Sequence, residues 1–338
     1  MKRIVAIDSI RGFANLLMIY ANFAPYLLGQ DPPFLFRLFS SLAAPLFIFT
    51  AGYSTLLGKS GFLSKITSSL LILVTASLID IFVWGIWPFQ TFDVLYVISI
   101  SLVVIHILPL KRWGWLIMAL MMFLLSFIGR FYLGYRFALE EHFVLDGYAS
   151  GLSHFSILDS IVRLLLDGWF PLLPWMGMAF LGRFFAQYGL MEIVKTSNFK
   201  WVFPSVFILA FLILHSLPTQ PMRDGYVELF YPPTLPYLML SLSWIGMVFL
   251  WFPSDRRNLL LSLCTNLGRK SLFVYIFHSV IAHFILDRFV FDLSMPLFLM
   301  LTTLLTVTIY LVVSIINQFD EKGFLNRIPW QLRRVFGL

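Results

Sequence analysis

Cysteine is almost missing from this sequence. Its 338 residues hold one, Cys264, which excludes an intrachain disulfide and a cysteine-based metal cluster. Charge is scarce too: Asp, Glu, Lys and Arg make up 12% of the chain, about half the quarter usual in soluble domains. No internal repeat is visible and no low-complexity linker divides the chain. Lys2 and Arg3 precede an apolar run without a small-residue cleavage site, so no cleavable signal peptide is expected. His278 and His283 do not share a helix face well, and no carboxylate stands at a zincin spacing, so no metal is expected. No serine has a nucleophile-elbow context.

What the chain has in excess is apolar surface. Hydrophobic residues reach 59%, with 37 Phe, and mean hydropathy is +0.87. The apolar residues fall into runs of about twenty, long enough to cross a bilayer. These runs predict spans near 8–29, 36–57, 64–85, 92–110, 112–133, 159–181, 200–217, 234–252, 270–290 and 295–317. The expected fold is all-α, a polytopic membrane bundle of about ten transmembrane helices. Residues 1–317 form one membrane domain and 318–338 a cytoplasmic tail that could lie on the membrane surface, interrupted at Pro329.

The 24 Lys and Arg orient the bundle. With the N-terminus inside, only Arg37, Arg130, Arg136, Arg163, Arg223 and Arg288 fall outside, as positive-inside sorting requires. Both termini are then cytoplasmic. The pI near 9.5 is mainly a topology device, and no nucleic-acid partner is expected. Trp87, Trp113, Trp115 and Trp251 lie near span ends, where aromatic rings anchor at the interface.

Polar residues inside spans are costly and usually face a partner, a cavity or a pathway. Asp8, Arg11, Asn15 and Asn22 recur at three, four and seven residues in the first span, steps that return to one helix face. Asp8 with Arg11 has the spacing of a helical ion pair, and either Asn alone fits interhelical hydrogen bonding. Together the four read as one wall of a polar channel. His278 lies about 12 Å into the bilayer beyond Lys270 by helical rise. It fits a bond across helices, or proton transfer near neutral pH. Asp80, Asp93 and Asp167, in outer halves or at outer ends, fit structural partnership with Arg37, Arg130 or Arg163. The longest external loop, near 134–158, carries Glu140, Glu141, His142, Asp146 and His154, which solvation explains as well as function does.

Five segments in chain order carry a resemblance. "RIVAIDSIRGFANLLMIYAN", "APLFIFTAGYSTLL", "WFPLLPWMGMAFLGRFF", "FYPPTLPYLML" and "LGRKSLFVYIFHSV" resemble motifs of the heparan-α-glucosaminide N-acetyltransferase-like (DUF1624-type) family of transmembrane acyltransferases. Each is built of common membrane residues; the five in order are fairly specific. The resemblance implies transfer of an acetyl or other acyl group from cytoplasmic acyl-CoA to a sugar or glycan acceptor on the far side. By position, Arg11 matches the Arg of the Arg-Gly signature, Asn22 the polar residue near the acetyl group, and His278 the histidine of the late motif. One departure stands out. The first external loop lacks the family's catalytic histidine, and the corresponding position is Asp31, in "LLGQDPPFLF".

The catalytic candidates are therefore His278, Asn22 and Asp31, with His278 favoured as the base. Arg11, Asn15, Asp8 and Arg269 are the candidates around the acyl-CoA co-substrate. The partners implied are the lipid bilayer, acyl-CoA and a carbohydrate or glycolipid acceptor, with a homodimer left open. The expected location is the plasma membrane of a prokaryote. Two other readings stand beside this one. A transporter or permease would use the same polar wall, and an inactive structural member of the family would pack it shut.

Overall fold

Each of the ten apolar runs folds as a helix or a pair of helices. The computed structural model describes residues 5–29, 31–57, 60–90, 92–135, 157–189, 199–216, 228–252 and 259–338. Helix α1 is Val5–Leu27; α2 (Phe34–Ser40) and α3 (Ala43–Ser54) share the second run; α4 (Phe62–Ile79) continues into a π-turn, Asp80–Trp84. Then come α5 (Val94–Ile107), α6 (Arg112–Leu133), α7 (Ile157–Val162), α8 (Leu172–Tyr188), α9 (Phe199–Ser216) and α10 (Leu235–Trp251). The chain ends in α11 (Leu259–Arg269), α12 (Ser271–Phe284), α13 (Met295–Glu321) and α14 (Trp330–Val335). Among the described residues there is no strand, only an isolated bridge between Leu28 and Leu293.

Length and hydropathy together qualify Phe34–Ser54, Phe62–Trp84, Arg112–Leu133, Ser271–Arg288 and Met295–Glu321 as membrane crossings. Ser160–Asp167, the end of α7 with the π-turn that follows it, and α8 make a sixth when taken as one span, bent by 50°. The break falls at 168–171, where Gly168 leaves the first helix in extended geometry and Pro171 caps the second. Inside α8, Leu173 also leaves helical geometry at φ −99° and ψ 115°, as a residue before proline is pushed out of the α region. Helices α5, α9 and α10 are apolar but shorter. The outward faces suit lipid: Ile117, Leu120, Leu124 and Phe131 on α6 are exposed, as are Leu304, Leu311 and Ile315 on α13. This is a membrane helix bundle.

Glycines set the tightest contacts. A Cβ on Gly12 would stand 1.7 Å from the Cys264 carbonyl oxygen, and one on Gly268 would stand 1.7 Å from that of Asp8. Helices α1 and α11 therefore touch backbone to backbone. The same reciprocity joins α3 and α8, where Gly52 faces the Ala179 carbonyl and Gly182 that of Phe49. Without lipid-excluding hydrophobic drive, such small-residue contacts supply van der Waals packing between membrane helices.

Polar contacts sort the helix ends into two groups. One holds Arg11 with Ser54, Arg183 with Thr55, Arg269 with Glu321 and Lys270 with Asp320. The other holds Leu293 with Leu27, Leu229 with Ser41, and Phe170 with Phe92. Helices α1 and α12 run parallel, since Asn15 meets Ser271 and Asn22 meets His278.

The structure adds detail to three expectations. Helix α13 runs to Glu321, past the expected boundary at 317. The tail beyond it is tied to the bundle: Thr75 Oγ1 donates to the Val335 carbonyl at 2.8 Å, and Gly337 packs on the backbone of Leu272 and Phe273. Trp115 is buried within the bundle, whereas Trp113 and Trp251 are exposed. The acidic and histidine residues of the loop near 134–158 (Glu140, Glu141, His142, Asp146, His154) lie outside the described residues.

Candidate functional site

The polar face of α1 does not line one open wall. Asp8 lies 3.8 Å from Arg11, while Arg11 turns toward α3 and donates from Nη2 to Ser54 Oγ at 2.5 Å. Arg183 on α8 donates to the adjacent Thr55 Oγ1 at 3.0 Å. Two guanidinium groups thus converge on the last turn of α3, whose terminal carbonyls favour cations. Lys65 and Arg183 both act electrostatically on His106, so this end of the bundle gathers four basic side chains. Arg11 keeps 30% of its side chain exposed. Arg183 was not among the sequence candidates, because its contact with Thr55 crosses from one span to another.

Asn15 is fully buried. Its Nδ2 donates to the Leu267 carbonyl at 3.2 Å and lies 3.4 Å from Ser271 Oγ. It therefore seals the α11–α12 junction against α1, the glue role open to either Asn. Arg269 donates to Glu321 at 2.7 Å on α13, and its neighbour Lys270 to Asp320 at 2.7 Å.

Toward the other end, Asn22 and His278 meet. Asn22 Nδ2 lies 2.8 Å from His278 Nε2. The other ring nitrogen, Nδ1, lies 3.0 Å from the Val274 carbonyl. A carbonyl only accepts, so Nδ1 carries the hydrogen and Nε2 presents its lone pair to the Asn22 amide. One Asn22 N–H is then engaged, and among the described residues the other has no hydrogen-bond partner. His278 is fully buried, whereas Asn22 is half-buried. This arrangement offers a lone pair and an N–H donor side by side, the components needed to take a proton and to hold an oxyanion.

Asp31 stands apart. It is exposed on the segment before α2, where its charge acts on Arg37. Among the described residues no hydrogen bond joins it to Asn22 or His278.

Two aspartates expected as partners of arginine have other partners. Asp80 Oδ2 accepts from Tyr96 at 2.5 Å, and Asp93 Oδ2 accepts the Tyr275 hydroxyl. Arg130 donates instead to the Pro233 and Ser126 carbonyls. The reason is reach: both aspartates are buried against aromatic residues of neighbouring helices. Tyr275 stands one turn before His278, with ring centroids 5.3 Å apart and planes at 80°. Spacing on α12 placed Tyr275 and His278 on one face, but nothing local in the sequence joined Asp93 to them.

Two family models match the chain. Residues 3–222, nearly two thirds of the chain, match the family model described as heparan-alpha-glucosaminide N-acetyltransferase, catalytic. Residues 185–319, which include His278, match a family described as a protein of unknown function (DUF418). None of the curated proteins matches the chain. The first match takes in Arg11, Asn22 and both α3–α8 glycines, and it covers most of the length: the chain belongs to the heparan-alpha-glucosaminide N-acetyltransferase family of membrane proteins.

Proposed function

We propose that this protein moves an acetyl or other acyl group from cytoplasmic acyl-CoA to a carbohydrate or glycolipid acceptor on the external side. In this reading it crosses the plasma membrane of a prokaryote ten times, with both termini cytoplasmic. The sorting of helix ends into two groups supports the alternation of spans that ten crossings require.

The observation that carries the proposal is the Asn22–His278 pair, whose Asn22 stands on the same helix as Arg11. Eleven residues separate Arg11 from Asn22, about 16 Å of helical rise. That is comparable to an extended pantetheine arm. Arg11 and Arg183 then hold the phosphates of the donor, which guanidinium forks bind bidentately. The thioester reaches Asn22.

The chemistry uses only groups already in contact. The acceptor's O–H or N–H replaces the Asn22 amide at His278 Nε2. His278 takes the proton as the acceptor's oxygen or nitrogen bonds to the thioester carbon. Asn22 N–H holds the resulting oxyanion, the carbon–sulfur bond breaks, and His278 returns the proton to the departing thiolate. Asp31, exposed and outside this contact, serves the external mouth and not the proton transfer.

The bend between α7 and α8 favours one second reading, a permease with a broken helix. Purified protein given radiolabelled acetyl-CoA, with glucosamine, glucose or water as acceptor, separates the two. Release of coenzyme A is the expected result. Uptake of sugar into proteoliposomes without any such release would favour the permease.

A further inference from the structure

We propose that Tyr275 and Asp93 are positioning residues for His278, a role that rests on His278 being the base of the proposed transfer. The three lie in one chain of contacts. Asp93 sits at the N-cap of α5, where Oδ1 accepts the Val94 N–H at 2.6 Å. Its other oxygen takes the Tyr275 hydroxyl. Tyr275 and His278, three residues apart on α12, share one helix face and meet edge to face, a favoured aromatic geometry. The imidazole thus contacts Tyr275, Phe23 at 6.3 Å between ring centroids, the Val274 carbonyl and Asn22.

Capping alone does not account for Asp93. Ser, Thr or Asn would cap α5 as well, and a buried carboxyl in a membrane bundle is costly unless paired. Asp93 is 7% exposed, Tyr275 8% and His278 0%. Among the described residues no Lys, Arg or His forms an ion pair with Asp93. A carboxyl brings two accepting oxygens and both are engaged here, one by the Val94 N–H and one by the Tyr275 hydroxyl, whereas Ser, Thr or Asn would offer one. Anchored by Asp93, Tyr275 packs edge to face on the imidazole and holds the ring so that Nε2 faces Asn22.

The neighbouring pair provides an internal control. Tyr96 donates to Asp80 with the same chemistry, both residues also buried, but its ring packs on Phe89 and Phe92 rather than on His278. A purely structural role would make the two tyrosines equivalent.

The experiment measures kcat and KM for acetyl-CoA, as coenzyme A release with glucosamine, glucose or water, in wild type, Tyr275→Phe, Asp93→Asn, their double variant, Tyr96→Phe and His278→Ala. Folding is checked by elution and thermal unfolding in detergent. Tyr275→Phe and Asp93→Asn are expected to lower kcat about 10-fold, as loss of a group acting through the base does. KM should stay within about two-fold and the double variant should lose no more than the worse single one, since the two act as a unit. Tyr96→Phe should reduce thermal stability and leave kcat unchanged. If His278→Ala abolishes turnover while Tyr275→Phe retains full kcat, or if Tyr96→Phe loses as much as Tyr275→Phe, the positioning role is wrong. If His278→Ala keeps full kcat, the base assignment itself fails. Should Asp93→Asn not fold, Tyr275→Phe against Tyr96→Phe decides alone.

Discussion

His278 presents its Nε2 lone pair to the Asn22 amide at 2.8 Å because its Nδ1 hydrogen is committed to the Val274 carbonyl. The pair is therefore directional, and the amide's donors matter more than its size. Asn22→Asp keeps the shape but turns both donors into acceptors, one of them facing a lone pair. Turnover of acetyl-CoA is expected to fall at least as far as in Asn22→Ala. An Asn22→Asp variant with wild-type kcat would show that the amide donors are not used.

Arg11 and Arg183 both reach the last turn of α3. Replacing either by Gln should raise KM for acetyl-CoA about 10-fold and leave kcat within a few fold, because phosphate contacts are the same in ground and transition states. Replacement by Lys should recover only part of the affinity, a point charge lacking the fork. Steady-state kinetics and calorimetric titration with coenzyme A check this. A loss confined to kcat would place the two arginines at the reacting centre instead.

Gly12 and Gly268 have no room for a methyl group. Gly12→Ala and Gly268→Ala are each expected to destabilise the bundle by about 1–3 kcal/mol or more, the cost of overpacking. Gly61→Ala is the control, since nothing lies within 4 Å of its Cβ position. Thermal unfolding in detergent should separate the first two from the third. Equal melting temperatures for all three variants would mean that α1 and α11 are not in backbone contact.

The hydropathy runs gave away most of the helices because lipid-facing surface forces long apolar segments, and ten such runs each fall on helical structure. Helix α11 escaped for the opposite reason. Its Thr265, Asn266 and Arg269 break the apolar run, and the only local signal was the spacing of Leu261, Cys264 and Leu267, all buried. At the site, His278 and Asn22 stood out because polar groups are rare inside spans. Asp93 stood out as well, but as a partner for an arginine; Arg183 and Tyr275 did not, since their roles come from contacts between residues 128 and 182 positions apart. The α1 stripe misled in one respect: shared face suggested a shared cavity, but Asn15 is packed shut against α11 and α12.

Orientation is tested by labelling. In a Cys264→Ser background, cysteine at 142 or 225 should react with an impermeant maleimide from outside, and cysteine at 61 or 196 should not. The reverse pattern would invert the bundle and put the arginine cluster on the wrong side for a cytoplasmic donor.

The central claim is that Asn22 and His278 carry acyl transfer together. Coenzyme A release from radiolabelled acetyl-CoA, with glucosamine, glucose or water as acceptor, should fall by about 10² or more in Asn22→Ala, as loss of an oxyanion donor does. His278→Ala should fall at least as far, while both proteins still elute as folded species. Full turnover in both variants would contradict the account and place the catalytic centre elsewhere in the chain.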